Sequence, residues 1–170
     1  MDLLDFLKSK RSVKQYQHKS IDHDLIEKIV EAGLYAPSGR NSQDVKMLVV
    51  ENEEVVRKIA QLNASVMGVN MDPFYGAPVV IVVFADKNCH THIEDGSLVM
   101  ANLMLEAHAL GVDSCWIHRA KETFLTVEGR MIAQNYGIPD NYEGIGNCIL
   151  GYYEGNYPIA SKRKENRVIY

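Results

Sequence analysis

The segment Lys10-Arg11-Ser12-Val13-Lys14-Gln15-Tyr16 places three cations and a hydroxyl within five positions. That donor set suits a phosphate or similar anion, because an arginine fork can grip two oxygens while ammonium and hydroxyl donors take the rest. Spacing alone does not separate such a cradle from a solvated basic turn, since charged side chains usually stay exposed. A second group, Cys89-His90-Thr91-His92 with Cys115 and His118 elsewhere, contains zinc-ligand chemistry. Its spacing is poor for zinc, and in an extended loop His90 and His92 would point to opposite sides. It reads as an exposed, histidine-rich loop, and no metal is expected. Cys115 and Cys148 fall in strand-like runs and read as buried structural thiols, because a nucleophile would need an activating base and an electropositive pocket.

These residues belong to a chain of 170 residues and 19.1 kDa that is 46% hydrophobic and 24% charged, a composition that fits a single domain over residues 1–170. A net charge of −4 argues against general nucleic-acid affinity, which needs a basic face, so any anion site must be local. Three cysteines without CxxC spacing suit reduced thiols, and the acidic, interrupted N-terminus does not resemble a signal peptide. Apolar runs are too short for a membrane span of about 20 residues. A soluble, cytoplasmic protein is expected.

The elements that would position the chemistry follow from patterning. Leu3, Phe6 and Leu7 suggest a short opening helix that ends in the basic segment. Asp22 reads as an N-cap with Ile21 and Ile26 as a hydrophobic staple, followed by a helix carrying Leu25, Ile29 and Val30 and ending near Gly33 and Pro37. The polar loop Pro37-Ser38-Gly39-Arg40-Asn41-Ser42-Gln43 leads into a strand at Met47–Val50. Asn52 caps another helix, and Val79–Phe84, a β-branched run without polar alternation, reads as a strand buried on both faces. Residues 94–110 predict a long helix, apolar around nearly its whole circumference and stopped at Gly111. A helix apolar all round must be covered, and in a chain this small a second subunit is the simplest cover, so a homodimer is expected. Strand-like segments at 112–117 and 145–153 flank a helix over roughly Thr123–Tyr136, and Tyr152 and Tyr153 read as packing residues.

Taken in order, these pieces resemble the nitroreductase family of FMN-dependent oxidoreductases. The resemblance runs nearly end to end, through Arg11-Ser12-Val13-Lys14, Ala36-Pro37-Ser38-Gly39-Arg40-Asn41-Ser42-Gln43, Gly76-Ala77-Pro78-Val79-Val80, Gly111-Val112-Asp113-Ser114-Cys115-Trp116-Ile117, Leu150-Gly151-Tyr152 and the basic tail Lys162-Arg163-Lys164. It implies an α+β fold, an α/β/α sandwich around a mostly antiparallel sheet, in an intertwined homodimer with FMN at the subunit interface. It assigns the phosphate and ribityl end of FMN to Arg11, Ser12 and Lys14, with Arg163 or a neighbouring lysine. Pro37, Ser38, Gly39 and Asn41 would reach the flavin from the partner subunit, and the backbone around Trp116, Ile117, His118 and Arg119 would lie along the isoalloxazine edge near N5. No catalytic side chain is implied, since the hydride chemistry belongs to the cofactor.

Three departures bear on specificity. Lys14 stands where arginine is frequent, keeping charge but losing the fork. Asp44-Val45 follows Gln43 where Pro-Trp is common, and the chain lacks the longer insertion of larger members. The leading functional reading is reduction of nitroaromatic, quinone or similar electrophilic acceptors by NADH or NADPH in alternating half-reactions. No Gly-x-Gly-x-x-Gly fingerprint is present, which accords with a nicotinamide that docks transiently on the flavin. The alternatives are a specialised flavoenzyme on the same scaffold (dehydrogenase, dehalogenase or flavin-consuming) and a non-catalytic flavin-binding module.

Overall fold

In a computed structural model, which describes residues 2–170, β1 (Val45–Val50), β2 (Val79–Asp86), β3 (Asp113–Ile117) and β4 (Tyr142–Gly151) form an antiparallel sheet in the order β1-β2-β4-β3. β2 lies between two neighbours under helices on both faces, which explains why Val79 through Ala85 are all buried and need no polar residue. On one face α2 (His23–Leu34) and α4 (His92–Ala109) pack over Ile81, Val83, Cys148 and Leu150. On the other, α3 (Glu53–Met67), α5 (Ala120–Leu125) and α6 (Val127–Asn135) cover Val80, Val82, Phe84 and Ile149. The result is the expected α/β/α sandwich. α1 (Leu3–Ser9) lies outside these layers and has no buried residue.

Local chemistry sets the helix ends. The Asp22 carboxylate accepts from the Asp24 N–H while Ile21 and Ile26 are both buried, as the staple requires. Asn52 accepts from the Glu54 and Val55 N–H groups, and α3 stops at Gly68, whose left-handed backbone suits glycine. No helix among the described residues is long and apolar enough to cross a membrane.

Three sequence expectations change. The helix over Thr123–Tyr136 is two helices, because extended Thr126 interrupts it and its hydroxyl accepts from the Gly129 N–H to begin α6. Gly129 makes that corner possible: a Cβ there would sit 2.1 Å from the Thr123 carbonyl oxygen. β4 begins at Tyr142 rather than Ile145, since Phe84 pairs with Gly144 and Val83 with Gly146, so Ile145 is an extra residue carried in a bulge. α4 begins at His92 rather than 94. His92 therefore leaves the exposed loop, its half-buried ring bridging the Cys89 carbonyl at 2.9 Å and the Glu143 carboxylate at 3.2 Å. In line with its all-round apolar pattern, α4 is not enclosed within one chain: Val99, Met100, Leu103 and Ala107 are buried, whereas Ile93 is 53% and Leu98 42% exposed.

Candidate active site

β3 is an edge strand, and the cationic segment completes its free edge. Ser12 pairs with Ser114 in a parallel bridge, and the Val13 N–H donates to the Ser114 carbonyl at 3.2 Å. Val13 is fully buried, which turns Ser12 and Lys14 outward. The Lys14 ammonium lies 5.9 Å from the centre of the Tyr75 ring. Arg11 Nη1 donates to the Lys8 and Lys10 carbonyls at 2.6 and 2.7 Å, while its Nε is buried without a partner. An acceptor at that Nε would satisfy a donor that the chain leaves unpaired. Lys10 turns inward instead: its ammonium contacts Met104 Sδ at 3.5 Å, and burial lowers its pKa.

Arg11 also lines a depression of about 600 Å³ with Phe6, Ser9, His108, Ala109, Tyr157 and Pro158. His108 Nε2 is 2.7 Å from the Ser9 hydroxyl. Burial holds the His108 imidazole below its ordinary range; Asp113 opposes this, while Lys10 and Arg11 push the same way as burial. The Tyr157 phenol is pushed up to about 12 by burial and by Asp113. This corner holds cationic and neutral donors suited to an anion.

The Pro37–Gln43 loop is built differently. Gly39–Asn41 make a 3-10 turn, and Arg40, Asn41 and Gln43 all have φ of 54°, a conformation uncommon for residues other than glycine and concentrated at functional sites. The almost fully buried Asp95 holds it: one carboxylate oxygen accepts the Gly39 N–H at 2.9 Å and the other the Thr91 hydroxyl at 2.9 Å. A Cβ at Gly39 would lie 2.2 Å from Thr91 Oγ1, so only glycine allows this approach. Ser38 Oγ accepts the Gln43 N–H, and Asn41 Oδ1 accepts from Gln43 Nε2. Pro37 and Asn41 remain exposed.

Within one chain the loop and Arg11 are far apart. Asp95 is in the first turn of α4 and His108 in its last, a separation of about 20 Å at 1.5 Å per residue. The loop also leads into β1, at the opposite edge of the sheet from β3, about 14 Å away across three strand spacings.

At the other end of β3, Trp116 is partly buried against Gly146, where a Cβ would come within 2.8 Å of the indole. Ile117 is buried, whereas His118 and Arg119 are exposed. Arg119 adopts a left-handed conformation (φ 73°, ψ 17°) as the chain enters α5, and its guanidinium pairs with Glu122 at 2.7 Å. Two fully buried asparagines hold this turn. Asn147 Nδ2 donates to the Ile117 carbonyl at 3.3 Å, and Asn63 Nδ2 donates to the His118 carbonyl at 2.9 Å and to the Thr123 hydroxyl at 3.2 Å. Each leaves its Oδ1 buried without a partner, an arrangement costing about 1–3 kcal/mol apiece. From Ser114 to His118 the strand spans about 13 Å, so the cationic segment and this turn lie along one strand.

Arg163 lies in the exposed tail, outside any helix or strand, beside Lys164, Asn166 and Arg167. The tail passes Arg11 earlier, at Tyr157 and Pro158. Sequence reading did not single out Asp95, Asn63, Asn147 or His108. The one legible signal was Asn147, which interrupts the apolar run from Ile145 to Leu150, where a polar residue is kept only if its bonds are satisfied or useful.

The cysteines follow their expected burial. Cys148 is fully buried with its thiol pushed up to about 12 by burial, and burial likewise raises Cys115; Cys89 is half-buried. A thiol titration of the folded protein with Ellman's reagent at pH 8 is expected to find one accessible thiol, Cys89, and two more only after unfolding. Rapid labelling of three thiols would contradict this packing.

The match to known proteins spans the same elements. The model of the nitroreductase family matches residues 7–70 and 66–152. The chain is similar to an FMN-bound nitroreductase of Bacteroides fragilis, at 25% identity and a TM-score of 0.92, covering 100% of this chain and 98% of that one. An FMN-dependent nitroreductase of Clostridium difficile is also 25% identical, with a TM-score of 0.83 and coverage of 99% and 98%. A Methanothermobacter thermautotrophicus protein, provisionally named an NADH dehydrogenase/NAD(P)H nitroreductase, is 29% identical over 163 residues, 89% of this chain and 78% of its own.

Proposed function

The chain belongs to the nitroreductase family, and from that premise we propose that it is a homodimeric FMN-dependent oxidoreductase that passes electrons from NADH or NADPH to small electrophilic acceptors such as nitroaromatics or quinones. The carrying observation is the edge of β3, which brings the anion-competent Arg11-Ser12-Val13-Lys14 segment and the Trp116–Arg119 turn onto one line. The buried, unpartnered Nε of Arg11 fits a phosphate group. In this reading Arg11 and Ser12 hold the phosphate and ribityl end, with Arg163 of the tail. Lys14 supplies positive charge where reduction places negative charge. The backbone at Ile117, His118 and Arg119 orients the ring, with Trp116 packed behind it. FMN supplies the hydride chemistry when bound.

The loop with Pro37, Ser38, Gly39 and Asn41 serves the partner's cofactor, because its own chain holds it about 20 Å along α4 from Arg11. Association also covers the apolar residues that one chain leaves open: Leu3, Leu4, Leu7, Ile93 and Leu98, with Ile159 in the tail. The test is the absorbance spectrum of purified protein, before and after FMN reconstitution, followed by anaerobic titration with each nicotinamide. Bound flavin bleached by NADH or NADPH is expected; colourless protein that takes up no FMN would refute the reading.

A further inference from the structure

We infer that Asn63 and Asn147 are positioning residues that aim two successive backbone N–H groups, those of His118 and Arg119, at the flavin N5 edge. The inference rests on the flavoprotein reading above and concerns how the β3–α5 turn performs its part in it. The Ile117 carbonyl shares a peptide plane with the His118 N–H, and the His118 carbonyl shares one with the Arg119 N–H. No peptide bond among the described residues is cis, and in a trans peptide the N–H points opposite to its C=O.

Asn147 draws the first carbonyl and Asn63 the second, and both asparagines are fully buried. The two N–H groups must therefore face away from them, on the exposed side of the turn. Because both partners are carbonyl oxygens, which only accept, Nδ2 has to face them. The asparagines come from different elements, α3 and β4. Each uses its donor and leaves its acceptor unsatisfied. Such residues in a core hold a backbone orientation rather than merely fill space. Arg119 is fixed by the same device: its left-handed backbone begins α5, and Thr123, the second partner of Asn63, returns its N–H to the Arg119 carbonyl at 2.9 Å.

The consequence is redox-selective. N5 of oxidised flavin has a lone pair that accepts an N–H, whereas N5 of reduced flavin carries hydrogen and does not. Correctly aimed N–H groups therefore favour the oxidised form. In the wild-type protein, oxidised FMN is expected to slow hydrogen exchange at the His118 and Arg119 amides by at least tenfold, read by 15N-resolved NMR, and reduction is expected to release them. Asn63→Leu and Asn147→Leu, which remove the donor at similar volume, should weaken oxidised FMN about tenfold and reduced FMN less than twofold. That difference raises the two-electron midpoint potential by about 20–30 mV. Asn63→Ser and Asn147→Ser, which keep a hydroxyl donor, should recover part of the effect, and Ile29→Val, a core change in α2 on the opposite face of the sheet, should leave the ratio unchanged.

Equal loss of both redox forms in the asparagine variants would overturn the proposal, as would FMN binding to wild type without protection at residues 118 and 119. Absence of FMN binding to wild type would instead overturn the flavoprotein reading itself, and the proposal with it.

Discussion

Arg11→Ala is expected to weaken FMN binding by about 100-fold while lowering the stability of the unliganded protein by only about 1 kcal/mol. Two charge-assisted hydrogen bonds to a phosphate contribute about 3 kcal/mol together, and each 1.4 kcal/mol is a tenfold change in affinity. Against this, the intrachain bonds of Arg11 run to the Lys8 and Lys10 carbonyls at the end of α1, a helix with no buried residue. Guanidinium bonds to uncharged carbonyls at such an open position contribute little net, because water replaces them. Removal of the guanidinium also removes the buried, unpartnered Nε, which offsets part of the loss. Arg11→Lys should fall between, about tenfold weaker, because the ammonium keeps the charge without the fork. The check is FMN titration by fluorescence quenching at fixed ionic strength, paired with thermal melting without FMN. Unchanged affinity in Arg11→Ala would return the segment to a solvated basic turn.

The cations at 10, 11 and 14 were visible, but spacing could not tell which faced outward. The structure divides them by a single buried residue: Val13 fixes the alternation along the β3 edge, turning Ser12 and Lys14 out, while Lys10 goes inward to Met104. β2 was legible because burial on both faces leaves a run of β-branched residues with no alternation. The bulge at Ile145 was not, because the pairing of Gly144 and Gly146 with β2 depends on contacts far away in the chain. Thr126 looks like an ordinary residue within a helical pattern until its hydroxyl is seen capping Gly129.

The site divides along the same line. Loop composition announced Pro37–Gln43, since Gly, Pro, Ser and Asn each carry turn chemistry. Asp95, which holds that loop, lies 56 residues from Gly39 in sequence and in the polar first turn of α4, so no local pattern couples them. Asn63 and Asn147 are hidden for the same reason. Their partners are backbone carbonyls of residues 117 and 118, and a backbone carbonyl leaves no mark on the sequence.

The separation of Arg11 from the Gly39 loop yields the sharpest test of subunit sharing. Gly39→Ala places a Cβ where Thr91 Oγ1 would be 2.2 Å away. The loop must shift and lose the Gly39 N–H bond to Asp95. Like Arg11→Ala, this variant is expected to bind FMN at least tenfold more weakly as a homodimer. A mixed dimer with Arg11→Ala in one chain and Gly39→Ala in the other behaves differently if each site takes Arg11 from one subunit and the loop from its partner. One site then inherits both defects and the other inherits neither, so about half of the sites regain wild-type affinity. If both elements came from one chain, each site would carry one defect and no affinity would return. Co-expression with two different tags, sequential affinity purification and FMN titration separate the outcomes: about one tight FMN per mixed dimer supports sharing, and none refutes it. Recovery has no other source, because neither chain of the mixed dimer is wild type and α4 keeps Arg11 and Gly39 about 20 Å apart in each.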